Sequence, residues 1–188
     1  LDRHSGQRIR AVGRLQSWSE TVLSDDVLLD LRRLNDVQLQ SNDDQLVATV
    51  GAGCQIKHLL KELNREGATL HSLGLITAQT IAGAISTGTH GSGRNSMSHY
   101  VVGVRLARYD DSSGQAIIEE LNAGESLKAA RCSLGSLGII LAVEIRCREQ
   151  YNVQEHFTES RQLSDVLDAE ASFPLQQFYL VPWRWSSF

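Results

Sequence analysis

Apolar and polar positions alternate with a period of two in several short runs, the pattern of half-buried strands. Arg8–Val12 is one such run and stops at Gly13; Val27–Leu31 is a second; Leu46–Val50 is a third, closed by Gly51-Ala52-Gly53. The period then changes. Ile56, Leu59, Leu60 and Leu63 recur at i, i+3, i+4 and i+7, which predicts an amphipathic helix, and Gly67 supplies its stop. Thr69-Leu70 leads into a stretch from Leu73 to Ser98 rich in Gly, Ser, Thr and Ala. Its isoleucines Ile76, Ile81 and Ile85 and its few charges predict a buried segment, not a linker. Val101–Tyr109, alternating through Val102, Val104 and Leu106, and Ala116–Leu121 predict a hairpin around Asp110–Gly114. A short helix is expected around Glu125–Cys132, with Leu127 and Ala130 inward and Gly135 and Gly138 ending it. The β-branched run Ile139–Ile145 then predicts a strand. Tyr151–Ser164 mixes alternation with charge; Leu163–Ala171 reads as helix, and Gln177–Val181 as a last strand before Pro182. Strands outnumber helices without strict alternation, which predicts an α+β fold.

Composition narrows the function classes. The chain has 188 residues, 41% of them hydrophobic, enough for a sizeable core and about one domain. Lys and Arg number 18 against 22 Asp and Glu, so no basic surface is available for nucleic acid, and disorder is excluded at this apolar fraction. No run of about 18 apolar residues exists to span a membrane, and the N-terminus lacks the apolar core of a signal peptide. Cys54, Cys132 and Cys147 are too few and too scattered for a disulfide framework, and no metal-ligand spacing occurs. They are the pattern of reduced thiols in a cytoplasmic protein, and no metal is expected. Fifteen glycines against two prolines point to tight turns and close backbone approach.

Three segments carry candidate chemistry. Gly13-Arg14-Leu15-Gln16-Ser17 leaves a strand at a glycine, where successive N–H groups can form an anion nest; an ordinary strand-to-loop turn has the same sequence. Thr80–Gly93 packs glycines, small hydroxyls and His90 together. Such a run either lets a planar or phosphorylated ligand lie on the main chain or marks a close backbone crossing. It is neither a Rossmann nor a P-loop motif. Ser133-Leu134-Gly135-Ser136-Leu137-Gly138 before the strand from Ile139 is either a ring-binding turn or a helix C-cap. His4, His58, His71, His99 and His156 read as surface or edge residues; Asp25-Asp26 and Asp43-Asp44 read as solvated loop charges, and Asp110-Asp111 as a hairpin tip.

In this order the segments resemble the PCMH-type FAD-binding domain of the vanillyl-alcohol oxidase superfamily, and within it the aldonolactone and alditol oxidase branch. The resemblance rests on IRAVGRLQSWS (Ile9–Ser19), the run Leu28–Val50, LGLITAQTIAGAISTGTHGSG (Leu73–Gly93) and ARCSLGSLGIILAVEI (Ala130–Ile145). It implies two α+β subdomains holding an extended FAD, with residues 1–148 as the FAD-binding domain and 149–188 as the start of a substrate or cap domain. By that resemblance Gly13, Arg14, Leu15, Gln16 and Ser17 bind the pyrophosphate. Thr80, Gly83, Thr87, Gly88, Thr89 and His90 line pyrophosphate, ribityl and flavin. Gly138, with the backbone of Val143 or Ile145, holds adenine.

The implied activity is that of a flavin-dependent oxidoreductase. It oxidises a CH–OH group of a sugar-1,4-lactone or polyol by hydride transfer to flavin N5 and passes electrons to O2 or another acceptor. Many relatives of this type carry a flavin-linking histidine where this chain has Gln16, so non-covalent FAD is expected. No catalytic base is identified in the sequence; it is expected in a cap domain, and the chain is expected to be the cofactor half of a longer protein. Two alternatives stay open: a PCMH-type flavoprotein acting on a 2-hydroxy acid or as a MurB-like reductase, and a flavin-free, non-catalytic remnant.

Overall fold

Every strand that alternates cleanly in sequence finds a partner, and in the larger of two units the helices pack against one sheet face. The computed structural model describes residues 1–42, 45–93, 95–173 and 175–180. Contacts divide the chain into two units, Leu1–Gly91 with Asn95–Tyr151, and Ser92–Arg94 with Asn152–Phe188.

In the first unit, β1 (Ile9–Val12) pairs in parallel with β2 (Val27–Asp30) as a two-stranded sheet. Parallel neighbours cannot be joined by a tight turn, so residues 13–26 must arch from one end of the pair to the other. The arch is closed where the Arg8 N–H donates to Asp26 Oδ2 at 2.7 Å and the Ser24 hydroxyl to Arg8 O at 2.6 Å. The larger sheet runs β3 (Val37–Asn42), β4 (Gln45–Gly51), β8 (Ile139–Glu149), β6 (Val101–Tyr109), β7 (Ala116–Leu121), all antiparallel neighbours. A short strand, β5 (Ala68–Leu70), also pairs with β8. The face carrying Ala48, Val50, Val143 and Ile145 is covered by α1 (Ile56–Arg65), α2 (Ile81–Ser86) and α3 (Gly124–Ala130) in one buried cluster. Ile56, Leu59 and Leu63 of α1 are fully buried, each contributing about 1.5–3 kcal/mol. The mixed α+β architecture agrees with the sequence pattern.

Several expectations are corrected. Strand β3 went unpredicted because Gln, Ser and Asn interrupt its Val37/Leu39 alternation. Helix α2, which the sequence pattern does not predict, lies inside the glycine-rich stretch expected only to be buried. Ile81 and Ile85 are buried as expected, but Ile76 is half exposed, on a loop outside the helix. In β6 the core positions are Val101, Val104 and Leu106, with Val102 only half buried, because a register shift between Val101 and Gly103 breaks the simple alternation. Strand β8 continues past Ile145 to Glu149, since β5 and β4 extend its ladder. Helix α3 begins at Gly124 and ends at Ala130, ahead of Cys132. Asp110 sits at the hairpin tip as read, and its Oδ2 accepts from the Ser112 and Ser113 hydroxyls at 2.5 and 2.7 Å, which holds its carboxyl well below the usual carboxylate range. Asp43-Asp44 lie outside the described residues.

The second unit holds α4 (Leu163–Asp168) and a 3-10 turn at Ala169–Ala171, matching the predicted helix. The Ser160 hydroxyl donates to Asp165 Oδ2 at 2.7 Å. Residues 177–180 are not a strand; Val181 and Pro182 lie outside the described residues. Among the described residues no helix is long and apolar enough to cross a membrane, and no cluster of His, Cys, Asp and Glu is placed to hold a metal. Burial pushes the Cys54 and Cys147 thiols up to about 11, which makes them inert near neutral pH.

His71, read as a surface residue, is half buried and stacked on Tyr100, centroids 4.5 Å apart and planes 6° from parallel. Burial holds its imidazole below the ordinary value of 6.5, and Arg148 and Arg146 of β8 lower it further. Tyr100 faces the ring from the 3-10 turn Met97–Tyr100, with His99 of the same turn edge-on to Tyr100. The unfolded chain therefore binds the proton more readily than the folded one, so stability rises with pH across this range. The neutral ring's contribution is complete above pH 6.5 and is lost as pH falls through the lower folded value. Urea titrations between pH 5 and 8 should show an acid limb that His71→Phe flattens; an unchanged limb would assign it elsewhere.

Candidate functional site

The arch between β1 and β2 forms one wall of a cavity of about 400 Å3. Gly13, Arg14, Leu15, Gln16 and Ser17 all line it, with Ser19 and Thr21 beyond them. Among the described residues, the main-chain N–H groups from Gly13 to Ser17 have no protein acceptor. Leu15 is left-handed, with φ +53°, a conformation costing a non-glycine residue about 1–2 kcal/mol. That reversal gathers successive amides as an anion nest does. Leu134, the other non-glycine residue with positive φ among the described residues, lines the same cavity. Backbone strain is thus confined to this site, where rigid surroundings must hold it.

The opposite wall is α2 and the segment before it. Thr80 caps α2, its Oγ1 accepting the Gly83 N–H at 3.4 Å. The helix is docked by tertiary bonds: the Ile81 N–H donates to Cys54 O at 2.8 Å and the Ala82 N–H to Ala52 O at 3.3 Å. Thr80, Gly83, Ser86 and Thr87 present small side chains to the cavity, beside Gln79, Ala82, Ala52 and Gly53. The third wall is the turn before β8, with Leu134, Gly135 and Gly138, and Ile140 at the strand's start. It is tied to α2 where the Leu134 N–H donates to Ser86 O at 3.2 Å.

The predicted site residues divide accordingly. Gly13, Arg14, Leu15, Gln16, Ser17, Thr80, Gly83, Thr87 and Gly138 share the cavity; Gly88, Thr89, His90, Val143 and Ile145 are not among its lining residues. Gly88 (φ +67°) and Thr89 finish α2, their N–H groups donating to Ile85 O and Ala84 O at 3.2 and 3.0 Å. That is a glycine C-cap, which places them in the helix's own termination. His90 is exposed, its Nδ1 2.9 Å from Gly91 O. The Val143 and Ile145 side chains are buried in the core, and their main chain pairs with β4 on one edge and β6 on the other. Ile140, earlier on the same strand, reaches the cavity instead. Ala52-Gly53 is brought there by tertiary bonds, not by a local motif. Gln79, Gly135 and Ile140 lie within segments that carry the resemblance, but nothing local to them marks a lining residue.

Electrostatically the site has one sign. Arg14 is the one charged side chain among its described lining residues; the rest are hydroxyls, amides, glycines and aliphatics. Free amides, one guanidinium and a hydroxyl-rich wall suit a ligand with an anionic centre, a polyhydroxy portion and a planar end lying on backbone. FAD has that make-up, and the residues present fit it.

A sequence model described as an FAD binding domain matches residues 3–115, more than half of the chain and most of the cavity. The chain belongs to this FAD binding domain family. It is 87% identical, over all 188 residues, to a long-chain alcohol oxidase of an uncultured marine euryarchaeote, of which it covers 39%. It is 36% identical over 155 residues to D-arabinono-1,4-lactone oxidase of Kluyveromyces lactis, a match covering 79% of this chain and 29% of that enzyme. Among solved structures, a solvent-stable cholesterol oxidase superposes with a TM-score of 0.71 at 20% identity, over 77% of this chain and 30% of that one. The chain therefore spans well under half the length of these relatives. The fold is the PCMH-type FAD-binding fold.

Proposed function

We propose that this chain is the FAD-binding part of a flavin-dependent oxidoreductase that oxidises a CH–OH group of a sugar-1,4-lactone or a polyol. The observation that carries the cofactor reading is the cavity itself, with unpaired amides at Gly13–Ser17, Arg14 as its one cation and no carboxylate on its described wall. The Gly13–Ser17 amides and Arg14 hold the pyrophosphate. The Thr80, Ser86 and Thr87 hydroxyls take the polyhydroxy portion, and Leu134, Gly135, Gly138 and Ile140 accept a ring. Bound FAD supplies the two-electron acceptor, while the protein fixes its orientation and electrostatics. The substrate assignment is supported by the lactone oxidase relatives. A long-chain alcohol is the second reading, favoured by the 87% identical relative.

In this reading residues 1–148 bind cofactor and 149–188 begin a substrate or cap domain; the base that takes the hydroxyl proton is assigned to that cap domain and to no residue of this chain. Electrons pass to O2 or another acceptor. Three free cysteines support a cytoplasmic setting.

Gln16 stands on the cavity wall, its Nε2 donating to Arg14 O at 3.3 Å. A carboxamide nitrogen is a poor nucleophile, so FAD is held without a covalent bond through this residue. The test uses the full-length protein purified with its flavin. Acid precipitation is expected to leave the flavin in the supernatant; a yellow pellet would show a covalent link. Anaerobic addition of L-gulono-1,4-lactone, D-arabinono-1,4-lactone, xylitol or 1-dodecanol is then followed at the flavin absorbance. Bleaching by a lactone or polyol supports the first reading and bleaching by dodecanol alone the second. A protein that neither carries nor takes up FAD overturns both.

A further inference from the structure

Strands β5 and β6 run end to end along the same edge of β8: Leu70 pairs with Cys147, Val101 with Ile145, and only Arg146 lies between. The chain between them, residues 71–100, leaves that line and returns to it, carrying Gln79, Thr80, α2 and His90. His71 is the first residue out and Tyr100 the last residue back. Their rings stack at 4.5 Å, so the two ends of the excursion are fastened to each other. Arg146 lies with its Cζ 5.8 Å from the Tyr100 ring centre, its Nε buried without a hydrogen-bond partner among the described residues. An orphaned guanidinium N–H is a cost that the cation–π contact offsets.

The rest of the excursion is unevenly tied. Residues 77–82 are bonded to 52–57, and 84–89 to Met97, Ser98 and Leu134. By contrast, residues 72–76 and 90–91 make no hydrogen bond between main-chain groups among the described residues. They hold together by close backbone crossing: a Cβ on Gly74 would stand 2.6 Å from Thr89 Cγ2, and one on Gly91 would collide with Leu73 O. The crossing adjoins the cavity, since the Thr89 hydroxyl donates to Gln79 Oε1 at 3.5 Å and Gln79 lines the wall. Its base is the stack.

We propose that His71 and Tyr100 are positioning residues whose stack clasps the ends of the 71–100 excursion and fixes the Gln79 wall and the His90 crossing for the cofactor. This rests on the FAD reading above, and the experiment separates the two. Backbone amide exchange is measured first on the full-length protein stripped of flavin. His71→Ala and Tyr100→Ala are expected to speed exchange at Thr89 and Met97, whose N–H groups donate to Ala84 O and Thr89 O, about tenfold, while α1 and β8 stay as protected as before. His71→Phe, which keeps a ring in the stack, is expected to restore protection. FAD is then added: the alanine variants should bind it about tenfold more weakly and show a shifted flavin absorbance envelope, and His71→Phe should return both. Uniform loss of protection across α1 and β8, no change at Thr89 and Met97, or failure of His71→Phe to rescue would each overturn the clasp. Absence of FAD binding by the unsubstituted protein would instead overturn the flavin reading, leaving the exchange result to judge the clasp alone.

Discussion

Gly53→Ala is expected to destabilise the fold by about 3 kcal/mol, at the top of the range for overpacking. Gly53 follows the β4 end, where its N–H donates to Leu34 O at 2.8 Å and pulls the 31–34 segment against it. A methyl group there would collide with the Leu31 carbonyl and stand 2.8 Å from Arg32 Cα. All of these neighbours are backbone, which cannot rotate away as a side chain tip can. Either the β4 end or the 31–34 segment must shift, and both Gly53 and Leu31 line the cavity, so FAD affinity should fall with stability. The informative comparison is Gly67→Ala. Gly67 has φ +67° with open space around it, so alanine there costs only about 1 kcal/mol of left-handed strain. Urea denaturation of both variants should put the midpoint of Gly53→Ala clearly below that of Gly67→Ala. A Gly53→Ala midpoint equal to wild type would show that the two segments are not in rigid contact.

That contrast shows which part of the structure was legible beforehand. Helix α1 could be read outright, because Ile56, Leu59 and Leu63 hold a 3.6-residue period and are the residues that become buried. The hairpin β6–β7 could be read because its turn chemistry is local to Asp110, Ser112 and Ser113. Helix α2 could not, since Ile-Ala-Gly-Ala-Ile-Ser is too short and too glycine-diluted to announce itself. It exists because Cys54 O and Ala52 O accept its first N–H groups and Thr80 caps it. The site divides along the same line. Gly13–Ser17 were legible as a candidate nest because a strand ending at glycine is a local signal, and the structure puts all five on the cavity wall. Val143 and Ile145, which the resemblance named for their backbone, are not among the cavity's lining residues, because their side chains enter the core and their main chain pairs with β4 and β6. Gly88 and Thr89 belong to a motif that also serves as a helix C-cap, and one sequence carries both meanings.

Gly13→Val is expected to weaken FAD binding severely while leaving most of the fold. A Cβ at position 13 would stand 2.5 Å from Thr80 Oγ1, the same oxygen that caps α2 through Gly83. Valine adds two methyl groups at that point, so either the arch moves away from α2 or Thr80 rotates out of its capping position. Moving the arch displaces the unpaired Gly13–Ser17 amides and Arg14; rotating Thr80 releases the cap, worth about 1 kcal/mol. Affinity should fall about 100-fold, or about 2.7 kcal/mol, because the anion contacts and the hydroxyl wall are lost together. Thr80→Val isolates the second route: it removes the hydroxyl but leaves room for the arch, so stability should drop by about 1 kcal/mol and affinity by less than in Gly13→Val. Thr80→Ser, which keeps the oxygen, should behave as wild type in both. Flavin fluorescence titration of the stripped full-length protein gives the affinities and urea denaturation the stabilities. Unchanged FAD affinity in Gly13→Val would mean that the β1–β2 arch does not touch the cofactor, and the pyrophosphate would have to be sought at another wall.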